Sequence, residues 1–157
     1  MGQQQLLLVI LVTIIVGIAT VVAINTFGSA ADQANIDAVN NDVATLASSA
    51  QGYYMRPNML GGGGRTFTGL SLEGLAFPSN GVSTNGLVAE NENGRYVLSN
   101  ITAQEFTITA HPSSCEGYTP GTSTEEGVLT AGDNCDTNSE TRVATVEPND
   151  FALSAGS

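Results

Sequence analysis

Nineteen consecutive uncharged residues, Leu6 to Ile24 (LLLVILVTIIVGIATVVAI), begin five positions into the chain and constrain the rest of it. The only polar members are Thr13 and Thr20. At about 1.5 Å per residue, a helix of this length spans nearly 30 Å, the thickness of a bilayer core. The run is rich in Val and Ile, which lowers helix propensity in water. In lipid that penalty is outweighed, because a spanning segment must pair every backbone group internally and a helix does so. The run therefore predicts a helix buried in lipid or in protein.

Its flanks do not match an ordinary anchor. Only Met1-Gly-Gln-Gln-Gln5 precedes it. A secretory signal carries a basic n-region, and a membrane anchor normally has Lys or Arg on its cytoplasmic side. A myristoylation signal wants Ser or Thr where Leu6 stands. The reading that reconciles these flanks places a basic leader ahead of Met1 in the precursor. Cleavage would leave a new α-amino group as the sole positive charge at that end.

After Ile24 the composition changes but helical periodicity continues. Ile36, Val39, Val43, Leu46, Ala47, Ala50 and Tyr54 recur at steps of three and four and form one apolar stripe. Asn35, Asn41, Asp32, Asp37 and Asp42 fall largely off it. Pro57 disfavours helix in the residue before it, so the helix should end between Gly52 and Arg56. Gly61 to Gly64 read as a flexible break. The expected organisation is an apolar helix over 1–27, its amphipathic continuation over 28–56, a Gly-rich linker over 57–68 and a β-rich domain over 69–157. The helix would have about 50 residues and be roughly 75 Å long.

In that last domain, 94–100 follows an Asn93-Gly94 turn signal. Residues 105–110 alternate, with Phe106 and Ile108 on one face and Thr107 and Thr109 on the other. Residues 141–147 alternate as well, with Ala144 and Val146 opposite Val143. Gly69 to Leu75 reads as a short helix or strand. Together these predict an α+β fold in which three or four antiparallel strands lie on the amphipathic half-helix.

Charge narrows the function classes. The chain has fifteen acids, no Lys and four arginines (Arg56, Arg65, Arg95, Arg142), for a formal net charge of −11. A nucleic-acid surface needs clustered cations, and docking on anionic headgroups does too, so neither is expected. Cys115 and Cys135, with one His in the chain, do not make a zinc site. In an exported protein they read as a disulfide closing a loop of about 20 residues, worth roughly 3 kcal/mol. Two reduced thiols in a cytosolic protein is the alternative.

Little else suggests chemistry, and neither a cofactor nor an enzymatic activity is expected. His111 lacks partners for a catalytic dyad and reads as a surface residue at a strand end. Asp133, Asp136 and Asn138 present oxygen ligands and form a partial calcium loop, without a central Gly and with Cys135 inside it; a solvated acidic turn is the alternative. Asn100-Ile-Thr102 is a glycosylation-type sequon.

The apolar run starting almost at the N-terminus, the amphipathic continuation, and the helix-ending stretch Leu46-Ala-Ser-Ser-Ala-Gln-Gly-Tyr-Tyr-Met-Arg-Pro57 resemble the type IV pilins and their secretion-system relatives, the pseudopilins. The resemblance covers about the first 57 residues. It implies a pilin-like fold and a leader cut by a prepilin peptidase, leaving a methylated amine on Met1. It also implies residence in the inner membrane, followed by extraction by assembly machinery into a helical filament of identical subunits. The family places Glu at the fifth mature residue, paired with a neighbour's amine; here Gln5 keeps an acceptor but loses the charge. The family's helix-breaking proline is missing, so the helix should either be continuous or unwind briefly at Gly17. The assembly residues implied are Gln5, Leu6, Leu7, Ile10, Ile14, Gly17 and Val21. The expected function is a major subunit of an extracellular pilus for adhesion, surface attachment or motility. The alternatives are a pseudopilin or minor pilin of a type II secretion-like system, and a single-span anchored extracellular binding domain.

Overall fold

The computed structural model describes residues 2–115, 118 and 141–156. The chain forms two compact units, Met1–Ala34 and Asn35–Ser157. A single helix, α1 (Gly2–Met55), supplies all of the first unit and the opening segment of the second.

In the first unit the helix is unbroken through Gly17, which resolves the two expectations in favour of continuity. Its hydroxyls are satisfied locally. Thr13 donates to the Ile10 carbonyl, Thr20 to Val16, Thr26 to Val22 and Ser29 to Thr26, at 2.8–3.1 Å. Side-chain bonds to the preceding turn remove the need for water or a partner, which lets these residues sit in an apolar environment.

In the second unit, six antiparallel strands follow one another in chain order: β1 (Gly81–Val82), β2 (Val88–Glu90), β3 (Gly94–Ser99), β4 (Phe106–Pro112), β5 (Arg142–Val146) and β6 (Phe151–Ala155). The long pairs β3–β4 and β4–β5 fix the register, Leu98 opposite Ile108 and Ile108 opposite Ala144. That register places Tyr96, Leu98, Phe106, Ile108, Ala110, Ala144 and Val146 on one buried face. The helical stripe Val39, Val43, Leu46, Ala47 and Ala50 joins the same core. Phe67 extends it, with its ring 4.9 Å from Tyr54 and 5.0 Å from Phe106.

The strand read from the Asn93-Gly94 turn signal and the two read from alternation form where expected. The three or four expected become six, because β1, β2 and β6 are short and carry little alternation. Gly69 to Leu75 is neither helix nor strand but a series of turns that buries Leu70, Leu72 and Leu75. Asn85-Gly86 was a usable hairpin signal. Asn85 Oδ1 accepts from the Ser83 hydroxyl and the Leu87 amide, and Gly86 takes φ +70°.

Candidate assembly surface

The first unit carries the apolar run on its outside. Every large apolar residue from Leu6 to Ile24 is between 46% and 68% exposed. Leu7, Ile10, Ile14, Gly17 and Val21 lie three or four positions apart and share one face; Gln5 and Leu6 sit beside it. No heavy atom lies within 4 Å of a methyl built on Gly17, so a neighbouring backbone has room to approach there. Met1 lies outside the described residues. By length and composition the helix is able to cross a membrane.

In the second unit, two residues expected to lie off the apolar stripe turn inward. Asp42 Oδ2 accepts from Tyr96 Oη (2.7 Å), Asn91 Nδ2 (2.8 Å) and Asn93 Nδ2 (2.8 Å). Asn35 donates to the Asn93 carbonyl (3.0 Å) and to Ser113 Oγ, and accepts from the Ser114 amide. Asn35, Val39, Asp42 and Leu46 are spaced 4, 3 and 4 apart, so these polar residues occupy one edge of the stripe itself. Identity misled the reading; spacing could have found them. Asp42→Ala leaves three part-buried donors without an acceptor, and should cost about 2 kcal/mol in thermal or urea unfolding.

Burial, and after it the bond to Asp42, pushes the Tyr96 phenol far above its ordinary range. The folded state thus holds the proton more tightly than the unfolded chain. Stability from this group is complete below about pH 10 and is lost as pH rises beyond it. Unfolding free energy measured from pH 9 to 12 should fall along this limb. Tyr96→Phe should start less stable, with a shallower fall.

The Gly-rich segment is not a flexible break. Gly63 N–H donates to the Tyr53 carbonyl (2.8 Å), Gly64 N–H to Arg56 (2.9 Å) and Arg65 N–H to Tyr54 (2.8 Å). These are carbonyls a helix end leaves unpaired, so the loop folds back and caps α1. A 3₁₀ turn over Asn58–Leu60 starts the return. A methyl on Gly62 would overlap the Arg56 backbone, and one on Gly63 would overlap the Thr66 carbonyl. Arg65 completes the turn in the left-handed region, φ +73°.

Arg65 lines a cleft of 490 Å³ with Tyr54, Met55, Gln104, Pro148 and Asn149. Tyr54 Oη donates to Gln104 Oε1 at 3.1 Å across it. Arg56 lines a smaller cleft of 180 Å³. The other arginines are engaged: Arg95 pairs with Glu90 at 3.4 Å and lies 5.9 Å from the Tyr118 ring, and Arg142 donates to the Thr141 carbonyl.

His111 lies next to last in β4, near the strand end as expected, but it is not a surface residue. It stands inside β4 opposite Arg95, half-buried, with both ring nitrogens shielded from solvent. Asn100 is exposed at φ +50° in the β3–β4 turn, where the Thr102 hydroxyl already caps the Gln104 and Glu105 amides. Cys115 is buried. Its expected partner Cys135, and the calcium candidates Asp133, Asp136 and Asn138, lie outside the described residues. Among the described residues no group of three His, Cys, Asp or Glu is placed to hold a metal ion.

A long apolar N-terminal helix that continues into an α+β unit with an antiparallel sheet is compatible with a pilin-like architecture. Comparison with protein-family models, with curated proteins and with solved structures returned no match.

Proposed function

We propose that this chain is the structural subunit of a type IV pilus-like extracellular filament, held in the inner membrane through α1 and polymerised through the same helix. The exposure of the whole Leu6–Ile24 run carries this reading. Burying one such side chain is worth roughly 1.5–3 kcal/mol. The fourteen Leu, Val and Ile side chains of the run together exceed a domain's entire stability, about 5–15 kcal/mol, so the run does not face water in any working state. Lipid covers it first, and the same run of sister subunits covers it after extraction. A contact between one subunit and the next that is not self-complementary is heterologous and grows a filament. Adhesion, surface attachment or motility are the roles such a filament serves. A leader peptidase, a methylated amine and a Cys115–Cys135 bridge belong to the same proposal.

Mechanical shearing of cells producing the chain should release it as high-mass polymer, visible as thin filaments by electron microscopy. Mass spectrometry of that polymer should find Met1 at its processed end. Recovery only as a detergent-soluble monomer, with nothing released by shear, would favour the anchored binding domain. A polymer in which this chain is a trace component would favour a pseudopilin or minor pilin.

A further inference from the structure

Four arginines serve fifteen acids, and two of the four are already engaged within the chain. The guanidinium groups of Arg56 and Arg65 make no hydrogen bond or ion pair among the described residues. Both lie just past the C-terminal end of α1. Arg65 holds a left-handed backbone where glycine would be easier, directly after four glycines. A strained position that keeps a long cationic side chain points to a use for that side chain.

Helix-dipole compensation is the plain explanation, since cations are favoured near a helix C-terminus. Here, however, the terminal carbonyls are already bonded by the amides of Gly63, Gly64 and Arg65. The guanidinium instead borders a cleft whose other walls are the uncharged Tyr54, Met55, Gln104, Pro148 and Asn149. Glu105 and Glu147 are exposed nearby in sequence to this wall, and neither forms an ion pair with it. A planar fork at the border of an uncharged cleft suits a carboxylate.

The second unit also supplies such a carboxylate at its other end. Asn35 and Asp42 fix the turn Asn91–Asn93, and Glu92 is exposed in that turn with no ion pair among the described residues. From Asn35 to Arg56 the helix rises about 30 Å. The cation and the acid therefore sit at opposite ends of one unit, as a head-to-tail contact requires. We infer that Arg65 receives Glu92 of a second copy, forming a directional electrostatic contact between successive subunits. The inference rests on the filament reading above. It accounts for how copies each carrying −11 approach in one orientation: the contact sets a cation unpaired among the described residues against an acid, whereas most other orientations set acid against acid.

The chain has no lysine, so Arg65→Lys introduces its only one. Full-length R65K filaments treated with a zero-length carbodiimide cross-linker should give a ladder of covalent oligomers in denaturing gels. Mass spectrometry should place the bond between the introduced lysine and Glu92, and mixed isotope-labelled subunits should show that it joins different chains. Wild-type filaments should give no such rungs. Arg65→Glu should raise the concentration needed for assembly about tenfold, and adding Glu92→Arg should restore it, with the thermal unfolding of the detergent-solubilised monomers unchanged. A lysine that couples only within its own chain, or to a different acid, overturns the contact. So does R65E assembly equal to wild type. If the wild-type chain does not polymerise at all, the filament reading falls first and this contact falls with it.

Discussion

If the chain is the proposed filament subunit, Ile14→Asp should sharply reduce stable membrane residence and filament growth together. Ile14 lies near the middle of the uncharged run and shares a face with Leu7, Ile10, Gly17 and Val21. A carboxylate at the centre of a spanning helix costs about 2.5–3.5 kcal/mol on insertion scales. The same charge packed among sister helices has no cation to meet, because the run contains none. A penalty of that size is on the order of a 100-fold loss in either equilibrium. Ile14→Leu conserves volume and apolarity and should leave both nearly unchanged. Carbonate-resistant membrane fraction and sheared filament yield are the two readouts. Normal filament yield from I14D would mean that this stretch is not the polymer's core.

Gly63→Ala has the second-largest expected effect, on folding. A methyl there would overlap the Thr66 carbonyl and approach Tyr53 Cε1 to 2.8 Å, so the Thr66 backbone on one side and the Tyr53 ring on the other would have to shift. The loop would have to give up the Gly63–Tyr53 bond, and the neighbouring Gly64 and Arg65 bonds with it. About 3 kcal/mol is expected from lost capping and overpacking, a fall in Tm of roughly 10 °C. Gly52→Ala is the matched control. Gly52 is an exposed residue of α1 with no atom within 4 Å of an added methyl, so alanine should stabilise by about 0.5–1 kcal/mol. Thermal melts of both variants decide the point. If both behaved as Gly52→Ala, the loop would be a tether after all.

What the sequence made legible follows from periodicity. The 3.6-residue stripe identified Val39 to Ala50, and the two-residue alternation identified β4 and β5, because burial on one face leaves a repeat that a reader is able to count; β3 was marked by its Asn93-Gly94 turn. β1, β2 and β6 have two, three and five residues, and β6 buries no side chain, so no repeat exists to be counted. Asp42 and Asn35 were misplaced because polarity was taken as a sign of solvent, whereas their bonding groups arrive from segments about fifty to eighty residues away. Four glycines in a row look the same whether they are slack or crowded. Only the position of the Arg56 and Thr66 backbones separates the two, and that is tertiary information. The apolar run was plain from composition, while the lack of side-chain partners for Arg56 and Arg65 among the described residues became visible only once those of Arg95 and Arg142 were known.

The strands follow in chain order, so β6 is an outermost strand, paired along one edge only. Its five side chains are all exposed, and its backbone leans only on β5. A foreign peptide grafted beyond the buried Gly156, whose amide donates to the Thr141 carbonyl, would leave that bond and the core in place. On the proposed polymer of identical subunits it would be repeated once per copy, making this edge strand a natural point for multivalent display.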